Sequence, residues 1–342
     1  MKAIVQTGYG APEDVLQFRE IDAPVVADDE VLVAVRAASV HPDVWHVVTG
    51  RPWVVRLMGA GLRKPKVPVP GTDLAGVVEA VGRSVSRFRP GDEVFGESHS
   101  RMQWCNGGAY AEYAAVPQDT LALKPAGTTF EEAASVPTAG YIALINLPAE
   151  GEWASRQNVL INGAGGGVGS IALQVAKARG ATVTGVDRAE KLELLRALGA
   201  DRVIDFARED FTLGDERYDL IFDVASTLSL KGCKRVLNPT GTYVLIGHDH
   251  FGDAGGRTFG SLPHFFKLQA RAPFDRHLPA LSFSIPEKSG VMARLKELLE
   301  TGQLTPVIDR TFPLHEVPEA MRYLQQGGGP GRIIITPWAR RS

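Results

Sequence analysis

Residues 158–169, Asn-Val-Leu-Ile-Asn-Gly-Ala-Gly-Gly-Gly-Val-Gly, decide how the chain folds. Val159, Leu160 and Ile161 form a short apolar run that reads as a buried strand. Five glycines follow within seven residues, and then SIALQVAKARG. There the apolar residues Val168, Ile171, Ala172, Val175 and Ala176 recur at the spacing of one helix face. Glycines at a strand-to-helix turn let the backbone approach a pyrophosphate, while the helix N-terminus offers unpaired N–H groups and positive potential. Gly163, Ala164, Gly165, Gly166, Gly167, Val168 and Gly169 are therefore candidate cofactor-binding residues. The next strand ends at Asp187, 18 residues beyond Gly169, where a carboxylate is placed to accept hydrogen bonds from an adenosine ribose.

Working outward, apolar runs at 158–162, 182–186, 219–224 and 242–246 alternate with amphipathic stretches near 167–180, 189–198 and 227–237. Such alternation predicts an α/β domain, a doubly wound parallel sheet with helices on both faces, over about 125–285. The first 120 residues have another texture. Short Val- and Ala-rich runs at 2–6, 30–37, 75–81, 92–95 and 111–116 are broken by Pro70-Gly71, Pro90-Gly91 and Gly107-Gly108. This spacing predicts an all-β or barrel-like domain over 1–124. The tail, with a helical pattern in VMARLKELLE, another helix near 315–326 and a last strand GRIIIT, completes it from 286 to 342. Residues 50–70, with four prolines and several cations, form a long irregular loop of the kind that is functional or mobile.

Composition excludes several classes. Across 342 residues, 37 Lys and Arg stand against 39 Asp and Glu, a net charge of −2. No clustered positive charge marks a nucleic-acid or acidic-membrane partner. Two cysteines, Cys105 and Cys233, are too few for a disulfide scaffold or a four-cysteine zinc lobe. The start, MKAIVQTGYGAPEDVLQF, lacks the apolar stretch of a signal peptide, and no run reaches the ~18 apolar residues of a membrane span. A soluble, cytoplasmic protein is expected.

On these residues the chain resembles the medium-chain dehydrogenase/reductase superfamily, in its zinc-independent quinone-oxidoreductase-like branch. Gly166-Gly167-Val168-Gly169 with Gln174 and Lys177 carries the resemblance, as do Pro70-Gly71-Thr72-Asp73-Leu74-Ala75-Gly76-Val77-Val78 and Val81-Gly82. Further matches are Pro90-Gly91-Asp92-Glu93-Val94, Gly108-Ala109-Tyr110-Ala111-Glu112-Tyr113, Leu198-Gly199-Ala200-Asp201, Thr305 to Asp309 and Gly331-Arg332. The chain departs at Gly165, where the pattern usually has Ser or Ala. The resemblance implies a GroES-like β-barrel catalytic domain packed against a Rossmann cofactor domain, with the active site in the cleft between them. It implies hydride transfer from NAD(P)H to a small-molecule quinone or conjugated carbonyl. A homodimer is the one macromolecular assembly it leaves open.

Zinc alcohol dehydrogenases of this superfamily hold their metal with a Cys and a His at positions where this chain has His41 and Thr72. Threonine is a poor zinc ligand beside these. Residues 97–107 offer Cys105 alone where a structural zinc loop carries four cysteines, and the spacings of His41, His46, His99 and Cys105 match no zinc pattern. No zinc is expected. The resemblance also places residues 39–50 on the cleft, which makes His41 and Trp45 catalytic candidates. An imidazole there either donates a proton or orients the ribose. Tyr110 is a candidate to close the pocket, and Trp53, Trp104 and the 50–70 loop to form an apolar slot for a planar substrate. Thr138, Gly247 and His248 are expected near the nicotinamide, and Arg332 joins the cofactor-binding candidates. Cofactor choice stays open between two signals. Asp187 favours a free 2′-hydroxyl, and Phe206 stands where NADPH-preferring members commonly have Tyr, whereas Arg188 and Lys191 favour a 2′-phosphate. Two other functions remain on this reading: an alcohol or aldehyde dehydrogenase, and a cofactor-binding regulatory protein without activity.

Overall fold

Strand Asn158–Asn162 buries Val159, Leu160 and Ile161 completely and is flanked on both sides by parallel partners. A run without alternation suits this position, because both faces of a parallel strand are covered. In the computed structural model, which describes residues 1–100, 104–149, 157–247, 258–279 and 287–338, the sheet order is Arg202–Asp205, Thr182–Asp187, Asn158–Asn162, Tyr218–Asp223, Leu237–Leu245. In chain order this is 3-2-1-4-5, all parallel, the order of a doubly wound sheet. The order reverses beside Asn158–Asn162, so ligand space opens at the carboxyl ends of that strand and of Tyr218–Asp223. Helix Gly167–Ala178 packs back on the sheet through Ile171, Ala172, Leu173, Val175 and Ala176. The stretch 189–198 resolves into a 3₁₀ turn, Ala189–Lys191, and a helix, Leu192–Ala197. The stretch 227–237 holds only Leu230–Arg235, started by Ser229 accepting the Gly232 N–H at 3.1 Å.

Contacts divide the chain into two units, and this sheet belongs to Ile142–Pro286 with Gly302–Thr305. The other unit comprises Met1–Tyr141, Glu287–Thr301 and Pro306–Ser342. Its main sheet has seven strands ordered Ile308–Pro313, Arg332–Thr336, Glu30–Val40, Asp73–Val81, Glu93–Glu97, Leu121–Leu123, with Tyr113–Pro117 also paired to Glu30–Val40. A separate hairpin joins Lys2–Gln6 to Leu16–Glu20, a strand that has no clear apolar alternation to announce it. Val31, Val33, Val35, Leu74, Val78, Val94, Val116, Leu121, Ile333 and Ile335 fill the interior of this unit. Residues 125–141, expected with the parallel sheet, belong to this unit. Helix Phe130–Ala134 opens with a capping box between Thr129 and Glu132, and Thr138 in helix Pro137–Asn146 bonds Asp73 and Glu97. In the 50–70 loop, Arg56–Ala60 forms a π-helical turn. No helix among the described residues is long and apolar enough to cross a membrane.

Candidate functional site

The glycine turn runs from the end of strand Asn158–Asn162 into helix Gly167–Ala178. Gly163 has φ +84°, and its N–H bonds Val186 O at 2.9 Å. A Cβ on Gly169 would lie 2.1 Å from Gly163 O, so only glycine lets the helix start this close to the turn. Gly166 is the N-cap, and no side chain caps the helix. Its first-turn N–H groups therefore lack a side-chain acceptor, and with the helix dipole they suit an anion. Ala164 is buried beneath the turn.

Asp187 is folded back onto this turn. Its Oδ2 accepts the Gly165 N–H at 2.7 Å and its Oδ1 accepts the Arg188 N–H at 2.9 Å, with Lys191 Nζ 3.8 Å from Oδ1. A Cβ on Gly165 would come within 2.7 Å of Lys191 Cδ and 3.1 Å of Asp187 Oδ2. The departure from the usual Ser or Ala thus has a local cause: glycine makes room for the Asp187–Lys191 pair. Lys191 is buried, the Arg188 side chain is half exposed, and Phe206 is exposed beside them with its N–H on Asp187 O. At the neighbouring strand ends, Asp223 accepts from Asn162 Nδ2, the Ser226 N–H and the Tyr243 hydroxyl at 2.7–2.8 Å. Burial pushes the Asp223 carboxyl above its ordinary range, against these donors. Gly247 approaches so closely that a Cβ would sit 1.6 Å from Val224 O. His248 lies outside the described residues.

In the other unit a second polar cluster surrounds His41. The residue is the N-cap of helix Pro42–Thr49 and is buried at 1% exposure. Its Nε2 lies 2.7 Å from Thr72 Oγ1 and 3.9 Å from Asp73 Oδ2, and its Nδ1 lies 3.6 Å from Asp43. Asp73 is fully buried and accepts the Ser39 hydroxyl at 2.9 Å, the Thr138 N–H at 3.2 Å and the Thr138 hydroxyl at 2.5 Å. Thr138 Oγ1 is also 2.7 Å from Glu97 Oε1, and Lys288 Nζ is 2.6 Å from Glu97 Oε2. Burial raises the Glu97 carboxyl; Lys288 opposes the shift and Asp73 adds to it. The Arg332 guanidinium is buried beside this cluster, and its Nε makes no hydrogen bond among the described residues. Desolvation pulls it below the usual arginine range, while Asp73 and Asp43 hold it up.

The other two catalytic candidates, Trp45 and Tyr110, are buried and hydrogen-bonded within the unit that carries His41. Trp45 is 2% exposed, and its Nε1 donates to Gln325 Oε1 at 3.2 Å. Tyr110 is fully buried, with its hydroxyl donating to Ser39 O at 2.9 Å and its ring beneath Gly71, whose Cβ would touch it at 2.5 Å. Both brace the segment that carries His41. Of the expected apolar slot, Trp104 packs against the Val47, Val55 and Ala60 cluster and donates to Asp43 at 3.2 Å, while Trp53 is exposed. The sequence reading missed Asp73, Glu97 and Lys288. One signal was available: Glu97 sits two residues after Phe95 on a short strand, so an acid falls on an inward face.

The uncapped glycine turn fits the pyrophosphate of a dinucleotide. The residues around His41 do not fit zinc, because a neutral threonine oxygen already engages the imidazole where a second soft ligand is needed. The chain matches the family model described as alcohol dehydrogenase GroES-like domain over residues 27–126, and the one described as zinc-binding dehydrogenase over residues 198–335. It is similar to the 2-methylene-furan-3-one reductase of Solanum lycopersicum, 31% identical over 98% of this chain and 79% of that one. It is equally similar to the chloroplastic NADPH-dependent alkenal/one oxidoreductase of Arabidopsis thaliana, 31% identical over 98% and 80%. Among solved structures, the quinone oxidoreductase from Coxiella burnetii has a TM-score of 0.79 at 26% identity, with 99% of each chain covered.

Proposed function

The chain belongs to the quinone-oxidoreductase-like branch of the medium-chain dehydrogenase/reductase superfamily, and from that premise we propose that it reduces quinones or α,β-unsaturated carbonyls with NAD(P)H and without zinc. A bound dihydronicotinamide supplies the hydride. The glycine turn, from Gly163 to Gly169, binds the pyrophosphate through its N–H groups. Asp187, Arg188 and Lys191 set the choice between the two nicotinamide cofactors by charge, and Gly247, in the same unit, contributes to the nicotinamide side. His41 holds the proton that follows the hydride and delivers it through the Thr72 hydroxyl.

The observation that carries this reading is the His41–Thr72 contact. Where zinc relatives place two metal ligands, this chain has a proton-bearing pair. Without a Lewis acid to stabilise an alkoxide, alcohol oxidation loses its driving element, whereas a conjugated carbonyl is already polarised. The relatives named as an alkenal/one oxidoreductase and a 2-methylene-furan-3-one reductase support this substrate class. The net charge of −2 supports a small-molecule substrate over nucleic acid. Oxidation of NADPH and NADH against a panel of enones, quinones, aldehydes and alcohols, before and after exhaustive chelation, tests it. Turnover of enones or quinones that survives chelation is expected. Alcohol turnover lost with stoichiometric zinc would overturn the reading, and tight cofactor binding without turnover would point to a regulatory protein.

A further inference from the structure

From Val44 to Thr72 the chain has five cations, Arg51, Arg56, Arg63, Lys64 and Lys66, and no acid. The whole-chain balance, on which an acidic-membrane partner was discounted, averages this cluster away. The same loop exposes Trp53, Leu57, Met58, Leu62 and Val67, each between 37% and 61% accessible. Its backbone is nonetheless well anchored. Val55 and Ala60 are buried with Val47, and Tyr9 and Trp104 pack against them. The Tyr9 hydroxyl donates to Gly61 O at 2.5 Å. The Arg56 guanidinium lies 4.4 Å over the Tyr9 ring, and its Nε donates to Gly50 O at 3.2 Å. The Lys66 N–H bonds Ala60 O at 2.9 Å, which closes residues 61–65 into a turn carrying Leu62, Arg63 and Lys64. Arg63, Lys64 and Lys66 are exposed and stand in no ion pair among the described residues. Scattered apolar residues on a surface need no account, but a group of them on one anchored loop marks a contact surface.

We propose that this loop docks the protein peripherally on an anionic lipid surface, with Leu57, Met58 and Leu62 entering the acyl boundary and Arg63, Lys64 and Lys66 meeting the headgroups. Charge complementarity selects that occupant. Apolar side chains flanked by unpaired cations match an interface that is oily below and negative above. A second copy of the chain fits less well, because a twofold contact sets the patch against itself and its cations against cations. Nucleic acid would meet the charges but leave Leu57, Met58 and Leu62 without an apolar partner, since bases stack on aromatic rings and only Trp53 offers one. A peripheral contact of this kind needs no membrane-spanning helix. The loop follows helix Pro42–Thr49, which His41 caps, within the same unit. Docking would therefore bring the His41 unit to substrates dissolved in lipid. The docking stands apart from the proposed reduction, and only this reason for it, access to lipophilic quinones and conjugated carbonyls, rests on that reading.

The test sediments the full chain with vesicles of phosphatidylcholine alone and of phosphatidylcholine mixed with phosphatidylglycerol. Binding to the mixed vesicles, weakened by added salt and absent from phosphatidylcholine alone, is expected. The triple variants R63E/K64E/K66E and L57S/M58S/L62S should each lower the partition coefficient more than tenfold. R63K/K64R/K66R, which keeps the charge, should bind as the parent does. These side chains are exposed, so thermal melts of all three variants should match the parent and show that they fold. Brominated acyl chains should quench tryptophan emission in the parent and much less in W53F. No binding to mixed vesicles, equal binding to both vesicle types, or binding that survives both disruptive triple variants would each overturn the docking. A dimer in solution that L57S/M58S/L62S dissociates, without vesicle binding, would give the patch to a second copy and overturn it too. Sedimentation needs no turnover. Failure of the protein to reduce enones or quinones would therefore overturn the proposed function and leave the docking standing.

Discussion

His41 and Thr72, 31 residues apart in sequence, meet at 2.7 Å between Nε2 and Oγ1 in a fully buried pair. The contact brings a group able to hold a proton against one able to pass it on. His41→Asn keeps hydrogen bonding to Thr72 but removes the titrating ring. We expect kcat to fall about tenfold while cofactor affinity, set by the glycine turn, stays within twofold. General-acid assistance reaches ~10²–10⁴-fold, but an electron-poor acceptor draws on it less. A variant with the parental kcat and pH profile would leave His41 only a positioning part.

The glycine turn separates binding from folding. At Gly166 an added Cβ has nothing closer than Gly163 O at 3.6 Å, and the backbone is extended there, with φ −87°. Gly166→Val should fold and yet weaken cofactor binding more than tenfold, ~1.4 kcal/mol, because the branched side chain occupies the approach to the helix N-terminus. Gly169→Ala should behave differently, since its Cβ would lie 2.1 Å from Gly163 O. Its thermal stability should drop, by about 1–3 kcal/mol for a forced backbone shift. Fluorescence titration and thermal melts of both variants check the pair. Equal melting temperatures would remove the packing argument for Gly169.

These positions show what was legible in the sequence. The turn, its helix and Asp187 lie within 30 residues, and each follows from local spacing of apolar residues and glycines. The parallel sheet was legible for the same reason. The acid–hydroxyl cluster was not, because Thr138 is 65 residues from Asp73 and 41 from Glu97, and Lys288 arrives from the tail. No periodicity links such residues; only the barrel-side fold brings them together. Tyr110, a candidate to close the pocket, was equally open to a place in the core, and local spacing does not choose between them; Gly71 leaves room for its ring in the interior.

Asp187 bears on cofactor choice through a carboxylate anchored by two N–H groups. Its charge is fixed near the end of its strand and only loosely met by Lys191, at 3.8 Å. Asp187→Ser removes that charge and should raise the NADPH-to-NADH ratio of kcat/KM several-fold. It also deprives the Gly165 N–H of its acceptor, so a stability loss of about 1 kcal/mol should accompany it. Kinetics with both cofactors and denaturant unfolding measure the two effects. An unchanged ratio would assign the preference to Arg188 or to residues beyond this turn.

Glu97 should leave a signature in stability against pH, and its sign follows from the direction of its shift. Burial, the largest influence, raises the carboxyl above its ordinary value of 4.5; Lys288 lowers it and Asp73 raises it. A carboxyl whose folded pKa exceeds its unfolded one binds protons more tightly in the folded state. Its contribution is complete below about pH 4.5 and is lost as pH rises through the folded value. Glu97→Gln cannot ionise and has no such dependence. The amide also changes the Lys288 contact, but that produces a constant offset rather than a slope. Urea unfolding of both proteins across a pH series should therefore show the parent gaining on the variant toward acid. Curves that run parallel over that range would mean that the folded protein binds the Glu97 proton no more tightly than the unfolded chain does.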